Sequence, residues 1–329
     1  MHSLRLLALF AVLAACLLRP ARTAAQTYGQ PATPRIVAYV EVALQQGNLQ
    51  LAAALVAQYR RSNGDTPEAL EALSWVARGE LAAGHVEEAT KEAEEIKRIS
   101  QVTLGTRKLD AEPHLPLALG AALEIEAEAM AATQGRAEAV RFLQAEMRTW
   151  SGTSLVERLQ KNLNELTLEG RPLPVLREPE WIGRKPAPIS TLRGKVLLLF
   201  FWAHWCADCK AEAPVIAKLG EELEPKGLVI VAPTRLYGYT ATDEHAAPSE
   251  EKPFIEKVYE RYYGGIPNAQ VPVDESNFQR FGVSTTPTIV VVDRRGIVRL
   301  YHPGLMDEAA LRSTIEPLLL NSPNARAAR

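Results

Sequence analysis

Seven residues in a row, Val196-Leu197-Leu198-Leu199-Phe200-Phe201-Trp202, are apolar, with no polar side chain among them. A strand that keeps one face in water alternates apolar and polar residues, whereas a strand without alternation is covered on both faces. The run therefore predicts a central strand lying between two packed layers. Lys210-Ala211-Glu212-Ala213-Pro214-Val215-Ile216-Ala217-Lys218-Leu219 comes after it and predicts a helix.

Between strand and helix stand Trp205-Cys206-Ala207-Asp208-Cys209-Lys210. This transition puts the first thiol near a helix N-terminus, where unpaired N–H groups and the helix dipole favour a thiolate. A thiolate attacks disulfides, and a second cysteine three residues on is near enough to resolve the mixed disulfide. Zinc would need two more soft ligands, yet the chain has no second Cys-x-x-Cys and its histidines are scattered. Haem attachment needs His after the second cysteine, where Lys210 stands. A structural staple is disfavoured, because so short a loop restricts the unfolded chain little. Redox exchange remains, with no metal and no cofactor beyond the Cys206–Cys209 pair itself.

At 329 residues the chain is long for one compact domain. Its 47% hydrophobic and 23% charged residues suit soluble cores, and a net charge of -2 argues against nucleic acid as the main partner. Residues 1–25 read as an export signal. They hold a basic start with Arg5, an apolar core from Leu6 to Leu18 too short to span a bilayer stably, and the small residues Thr23-Ala24-Ala25. Leu13-Ala14-Ala15-Cys16 offers a competing lipoprotein site, at which Cys16 would carry lipid and tie the chain to a membrane. Removing residues 1–25 takes away Arg5, Arg19 and Arg22 and no acid, which leaves about -5. Export to the periplasm or cell envelope places Cys206 and Cys209 where disulfides persist.

From about Arg35 to Leu168 the chain is alanine-rich and helical in pattern. Gly47-Asn48-Leu49, Gly84-His85-Val86 and Gly135-Arg136-Ala137 each follow one apolar helix and open another, with an insertion around Thr103 to Pro116. Residues 35–170 are thus expected to be an all-α domain, loosely like tetratricopeptide repeats, or else a plain helical bundle. Pro172, Pro174, Pro179, Pro186 and Pro188 deny a helix to the stretch from Arg171 to Pro188, of which residues 171–185 are the expected linker. A second domain is expected over residues 181–320. Its order is strand Val196–Trp202, the cysteine-bearing helix and strand Leu228–Val231, then a polar, acidic excursion from Pro233 to Pro253. A helix with Ile255, Val258 and Tyr259, an extended piece at Val271–Val273, a hairpin at 288–300 and a last helix at 307–320 follow. Residues 321–329 read as a disordered tail.

Phe201-Trp202-Ala203-His204-Trp205-Cys206-Ala207-Asp208-Cys209-Lys210 resembles the thioredoxin signature. Cys209-Lys210-Ala211-Glu212-Ala213-Pro214 narrows the resemblance to the TlpA/ResA-like exported thiol–disulfide oxidoreductases. It covers about residues 181–320 and implies a mixed α/β, thioredoxin-like fold behind the α-helical domain. In that family the first cysteine attacks and the second resolves, which maps to Cys206 and Cys209. Thr286-Pro287 matches the family's cis-proline, a loop beside the thiols; an ordinary strand-start proline is the alternative. Glu212 matches the family's acid three residues after the second cysteine. There it can raise the Cys209 pKa or relay its proton, or it is simply a solvated helix carboxylate. Trp202 and Trp205 read as packing and shielding. Two departures stand out: Phe200 replaces thioredoxin's buried Asp, and Asp208 replaces the Pro before the second cysteine. The Asp208 carboxylate opposes a thiolate at Cys206, and His204, if protonated, favours it.

The resemblance implies an enzyme that reduces disulfides in exported proteins and is itself re-reduced by a membrane electron donor. The helical domain would recruit a peptide or protein partner. A thiol peroxidase of peroxiredoxin type is a second reading, weakened because Ala203 stands where that chemistry wants Thr. A third is a binding scaffold in which the redox domain is secondary.

Overall fold

The computed structural model describes residues 33–185, 187–242 and 245–320. The expected export signal at 1–25, Cys16 and the tail 321–329 lie outside these residues. The chain divides into two units, residues 33–155 and 156–320.

The first unit is built from helix hairpins. α1 (Arg35–Gln45) and α2 (Leu49–Asn63) turn at Gly47; α3 (Pro67–Ala82) and α4 (Val86–Leu104) turn at Gly84; α5 (His114–Thr133) and α6 (Arg136–Thr149) turn at Gly135. The three glycines have φ of 71°, 86° and 98°, a left-handed conformation that costs a residue with Cβ. All three turns fall where the sequence predicts them. Small side chains let the helices approach closely: Ala69, Ala72, Ala89, Ala93, Ala118 and Ala121 are fully buried. One cation is anchored between helices, where Lys97 donates to Glu126 and Glu146, each at 2.9 Å.

The second unit opens with α7 (Leu155–Thr167) from Val156 onward. Its strands are β1 (Glu180–Ile182), β2 (Val196–Phe201), β3 (Leu228–Val231), β4 (Val271–Val273), β5 (Thr288–Val292) and β6 (Val298–Pro303). The main sheet has the order β3-β2-β5-β6, with β2 parallel to β3 and antiparallel to β5. β1 and β4 form an antiparallel pair, and bridges Val231↔Gln270 and Thr234↔Val273 carry β4 alongside β3. The helices are α8 (Ala207–Leu223), α9 (Pro248–Tyr262), α10 (Glu275–Phe281) and α11 (Glu308–Leu320).

All six residues of β2 are buried, as the unbroken apolar run requires. Val196, Leu198 and Phe200 pack with Ile216 and Leu219 of α8 and Leu311 and Ile315 of α11. Leu197, Leu199 and Phe201 face the opposite layer, with Phe278 and Phe281 of α10, Val283 and Leu168. Each such side chain contributes about 1.5–3 kcal/mol by leaving water, so β2 is the mechanical centre of the unit.

Two expectations are corrected. The division falls at 155/156 and not near 170, because α7 packs into the second unit. Asn164 donates to the Phe281 carbonyl at 2.9 Å, and Leu168 joins the core beneath β2. Residues 171–177 are no free linker either. The prolines do prevent a helix, yet Leu173 N–H donates to Gly296 O and Val298 N–H to Arg171 O, both at 2.9 Å. Arg177 then exchanges two 2.8 Å hydrogen bonds with the Asn277 side chain. The backbone groups that a helix would have satisfied find partners in the sheet edge and α10. Consequently the second unit begins well before Trp181.

Candidate active site

β2 ends at Phe201 and the chain crosses four residues to Cys206, the N-cap of α8. Cys206 and Cys209 are joined as a disulfide with Cα atoms 5.3 Å apart. Cys206 is 3% exposed and Cys209 is fully buried. The Cys206 Sγ accepts the Cys209 N–H at 3.0 Å, so an orphan donor of the first helical turn points at this sulfur. That donor and the helix dipole favour negative charge on Sγ once the bond is reduced. Asp208 lies in the same first turn.

The Thr286–Pro287 peptide is cis, and the Thr286 carbonyl oxygen lies 3.4 Å from the Cys206 Sγ. Residues 80 apart in sequence thus meet at the sulfur. Glu212, one turn beyond Cys209 on α8, is 3% exposed. One of its oxygens accepts the Met306 N–H at 3.3 Å and the other has no hydrogen-bond partner. Burial pushes its carboxyl up to about 7, assisted by the charges of Asp208 and Asp307. The reading of Glu212 as a solvated carboxylate is therefore set aside. Lys210, which follows Cys209, has its ammonium 5.0 Å from the Tyr262 ring centre, and burial with nearby Arg261 lowers its pKa.

Phe200, at the place of thioredoxin's acid, is wholly buried beside Tyr263. Trp202 is also core: its indole donates to Ala232 O at 3.0 Å and its ring lies 4.3 Å from that of Tyr263. Trp205 is half-buried and meets the edge of Tyr237 at 5.7 Å.

The excursion after β3 brings groups that the sequence reading did not assign to the site. Tyr237, Tyr239 and Phe254 surround the imidazole of His204, with ring centres 5.4, 5.0 and 5.3 Å away. The Glu251 carboxylate lies 3.5 Å from His204 Nε2. Arg235 donates to Glu157 at 2.9 Å and Glu275 at 2.8 Å, and its guanidinium lies over Tyr237 and Phe278. Burial raises the Tyr237 and Tyr239 phenols well above their ordinary range, so both stay neutral. A cleft of ≈ 310 Å³ opens beside the disulfide, with Trp205, Arg235, Tyr237, Tyr239, Val283 and Thr286 in its lining. The only sequence sign of this wall is the pair of tyrosines about Gly238, set in an otherwise polar stretch.

Residues 189–318, which carry both cysteines and the cis-proline, match the family described as Thioredoxin-like domain. A thiol:disulfide interchange protein DsbE of Pseudomonas fluorescens biotype C is 30% identical over 146 residues, 44% of this chain and 72% of that protein. DsbE of Pseudomonas aeruginosa is 30% identical over 165 residues, 48% of this chain and 81% of that protein. The thiol:disulfide interchange protein HelX of Rhodobacter capsulatus is 26% identical over 172 residues, 51% of this chain and 87% of its own length. In this chain a disulfide at a helix N-cap faces a cis-proline loop beside a four-stranded sheet, and the relatives it matches over that region are named for thiol:disulfide interchange. The chain belongs to the thioredoxin-like thiol–disulfide oxidoreductases, the family of the DsbE and ResA proteins.

Proposed function

We propose that the chain reduces disulfides of proteins outside the cytoplasm through Cys206 and Cys209, and that its helical unit recruits the partner. The observation that carries this reading is the asymmetry of the pair: Cys206 keeps 3% of its surface exposed and Cys209 keeps none. In the reduced form the Cys206 thiolate attacks one sulfur of the substrate disulfide. A mixed disulfide forms and one substrate thiolate leaves, to be protonated. Cys209, once deprotonated, attacks the Cys206 sulfur and releases the second substrate thiol. Two electrons pass to the substrate, and the Cys206–Cys209 bond closes. An external dithiol or membrane donor must then return two electrons and two protons.

Glu212 is the group near Cys209 suited to take its proton, because its carboxyl titrates at about 7. Thr286 presents its carbonyl at the point where a substrate chain would lie against Cys206, and Pro287 holds that loop. Trp205 shields the sulfur, and Asp208 opposes charge on it. The segment 1–25 supports export, and the hairpins about Gly47, Gly84 and Gly135 support a binding role for the helical unit.

The test is Cys209→Ser in the full chain, offered disulfide-bearing envelope proteins. Mixed disulfides on Cys206 should accumulate, at least about tenfold over a Cys206→Ser control, because the resolving step is removed. Equal capture by both variants would show that Cys206 does not exchange with substrate.

A further inference from the structure

Glu251 is 1% exposed, and the exchange chemistry makes no use of it. A carboxylate stripped of water is costly unless donors replace the water. Its donors are two successive main-chain N–H groups, Tyr237 to Oε1 at 2.5 Å and Gly238 to Oε2 at 2.8 Å. Residues 235–242 form neither helix nor strand, so no ladder holds this stretch in place. Both oxygens of one side chain from α9 do so instead. What they hold is the pair Tyr237 and Tyr239, whose rings meet His204 on one side and line the cleft beside the disulfide. The edge of Tyr237 also rests on Trp205, the residue before Cys206.

We propose that Glu251 is a positioning residue for substrate selection. Through the Tyr237 and Gly238 N–H groups it fixes the two tyrosines as a wall of the cleft, and so sets the fit of a polypeptide that presents its disulfide to Cys206. This rests on the reductase reading above. The wall is aromatic, and the one cation in the lining, Arg235, is already neutralised by Glu157 and Glu275. The segment it receives is therefore an uncharged, partly apolar stretch of chain next to the target cysteine.

The test is Glu251→Gln in the full chain. The amide keeps the shape, but its NH2 faces an N–H, so one loop donor loses its acceptor. With dithiothreitol as reductant, KM for insulin should rise about tenfold while kcat stays within about twofold. KM for hydroxyethyl disulfide, which is too small to span the wall, should rise far less. Glu251→Asp, which keeps two acceptor oxygens, should recover part of the insulin KM. An unchanged insulin KM, or an equal rise for both disulfides, overturns the proposal. Should Glu251→Gln not fold, Tyr239→Leu alters the wall and leaves the carboxylate's two bonds in place; an unaltered insulin KM there overturns the proposal equally. Failure of the parent chain to reduce either disulfide would instead remove the reductase reading, and this inference with it.

Discussion

Glu212 and Glu251 are both carboxylates buried near the disulfide, and the difference between them is what each one accepts. Glu251 has two N–H donors and Glu212 has one, with its second oxygen bare. Burial, helped by the charges of Asp208 and Asp307, makes Glu212 hold its proton up to about pH 7, against 4.5 for a free side chain. Between those values the folded chain binds a proton that the unfolded chain has released. Its contribution to stability accordingly falls as pH rises from about 4.5 to 7, and the full penalty applies above 7. Glu212→Gln removes the penalty. The melting temperature of the variant relative to the parent should rise by a few degrees between pH 5 and pH 8, and its exchange rate should lose the inflection near pH 7. A melting difference that is flat across this range would show that Glu212 is not buried in its charged form. Glu212 was legible because it stands at a fixed offset from Cys209 on one helix. Glu251 was not, since its partners are backbone groups of a loop whose path only the folded chain defines.

Among the elements, β2 and α8 were readable because their signals are local: an apolar run, a helical pattern and a cysteine at the junction. The three glycine turns were readable for the same reason. α7 is helical as its pattern predicts, yet it belongs to the second unit, because nothing in its own sequence tells which core its apolar face will join. The seam between α7 and the loop after α10 rests on Gly282, which has φ of 62°. A Cβ there would come within 2.6 Å of the Gln160 carbonyl carbon in α7, a backbone contact that no rotamer change relieves. Gly282→Ala should therefore cost at least about 3 kcal/mol, by clash and by the left-handed backbone together. Denaturant titration measures this; a loss under about 1 kcal/mol would mean that α7 does not sit tightly there. The proline-rich stretch 171–177 shows the reverse error. Proline forbids a helix, but it does not forbid docking, and Leu176 is 8% exposed.

For the molecule as a whole, the boundary at 155/156 has a practical meaning. A chain of residues 156–320 retains α7 and every partner of β2, so it should fold and exchange disulfides alone. A chain beginning at 171 follows the boundary expected from sequence and loses Asn164 and Leu168 from the core. It should melt at least about 10 °C lower or fail to fold. Equal melting of the two would return α7 to the helical unit. The burial of Cys209 behind Cys206 has one more consequence, for damage. On the proposed roles, an oxidant such as a hydroperoxide that reaches the reduced site should meet Cys206 first, leaving a sulfenic acid there and releasing the alcohol. Cys209, sheltered and facing that sulfur, should then condense with it, expel water and restore the ordinary disulfide before further oxygen can add. The arrangement proposed to order the exchange should also make the site self-repairing, since the atom most open to injury stands next to its own remedy.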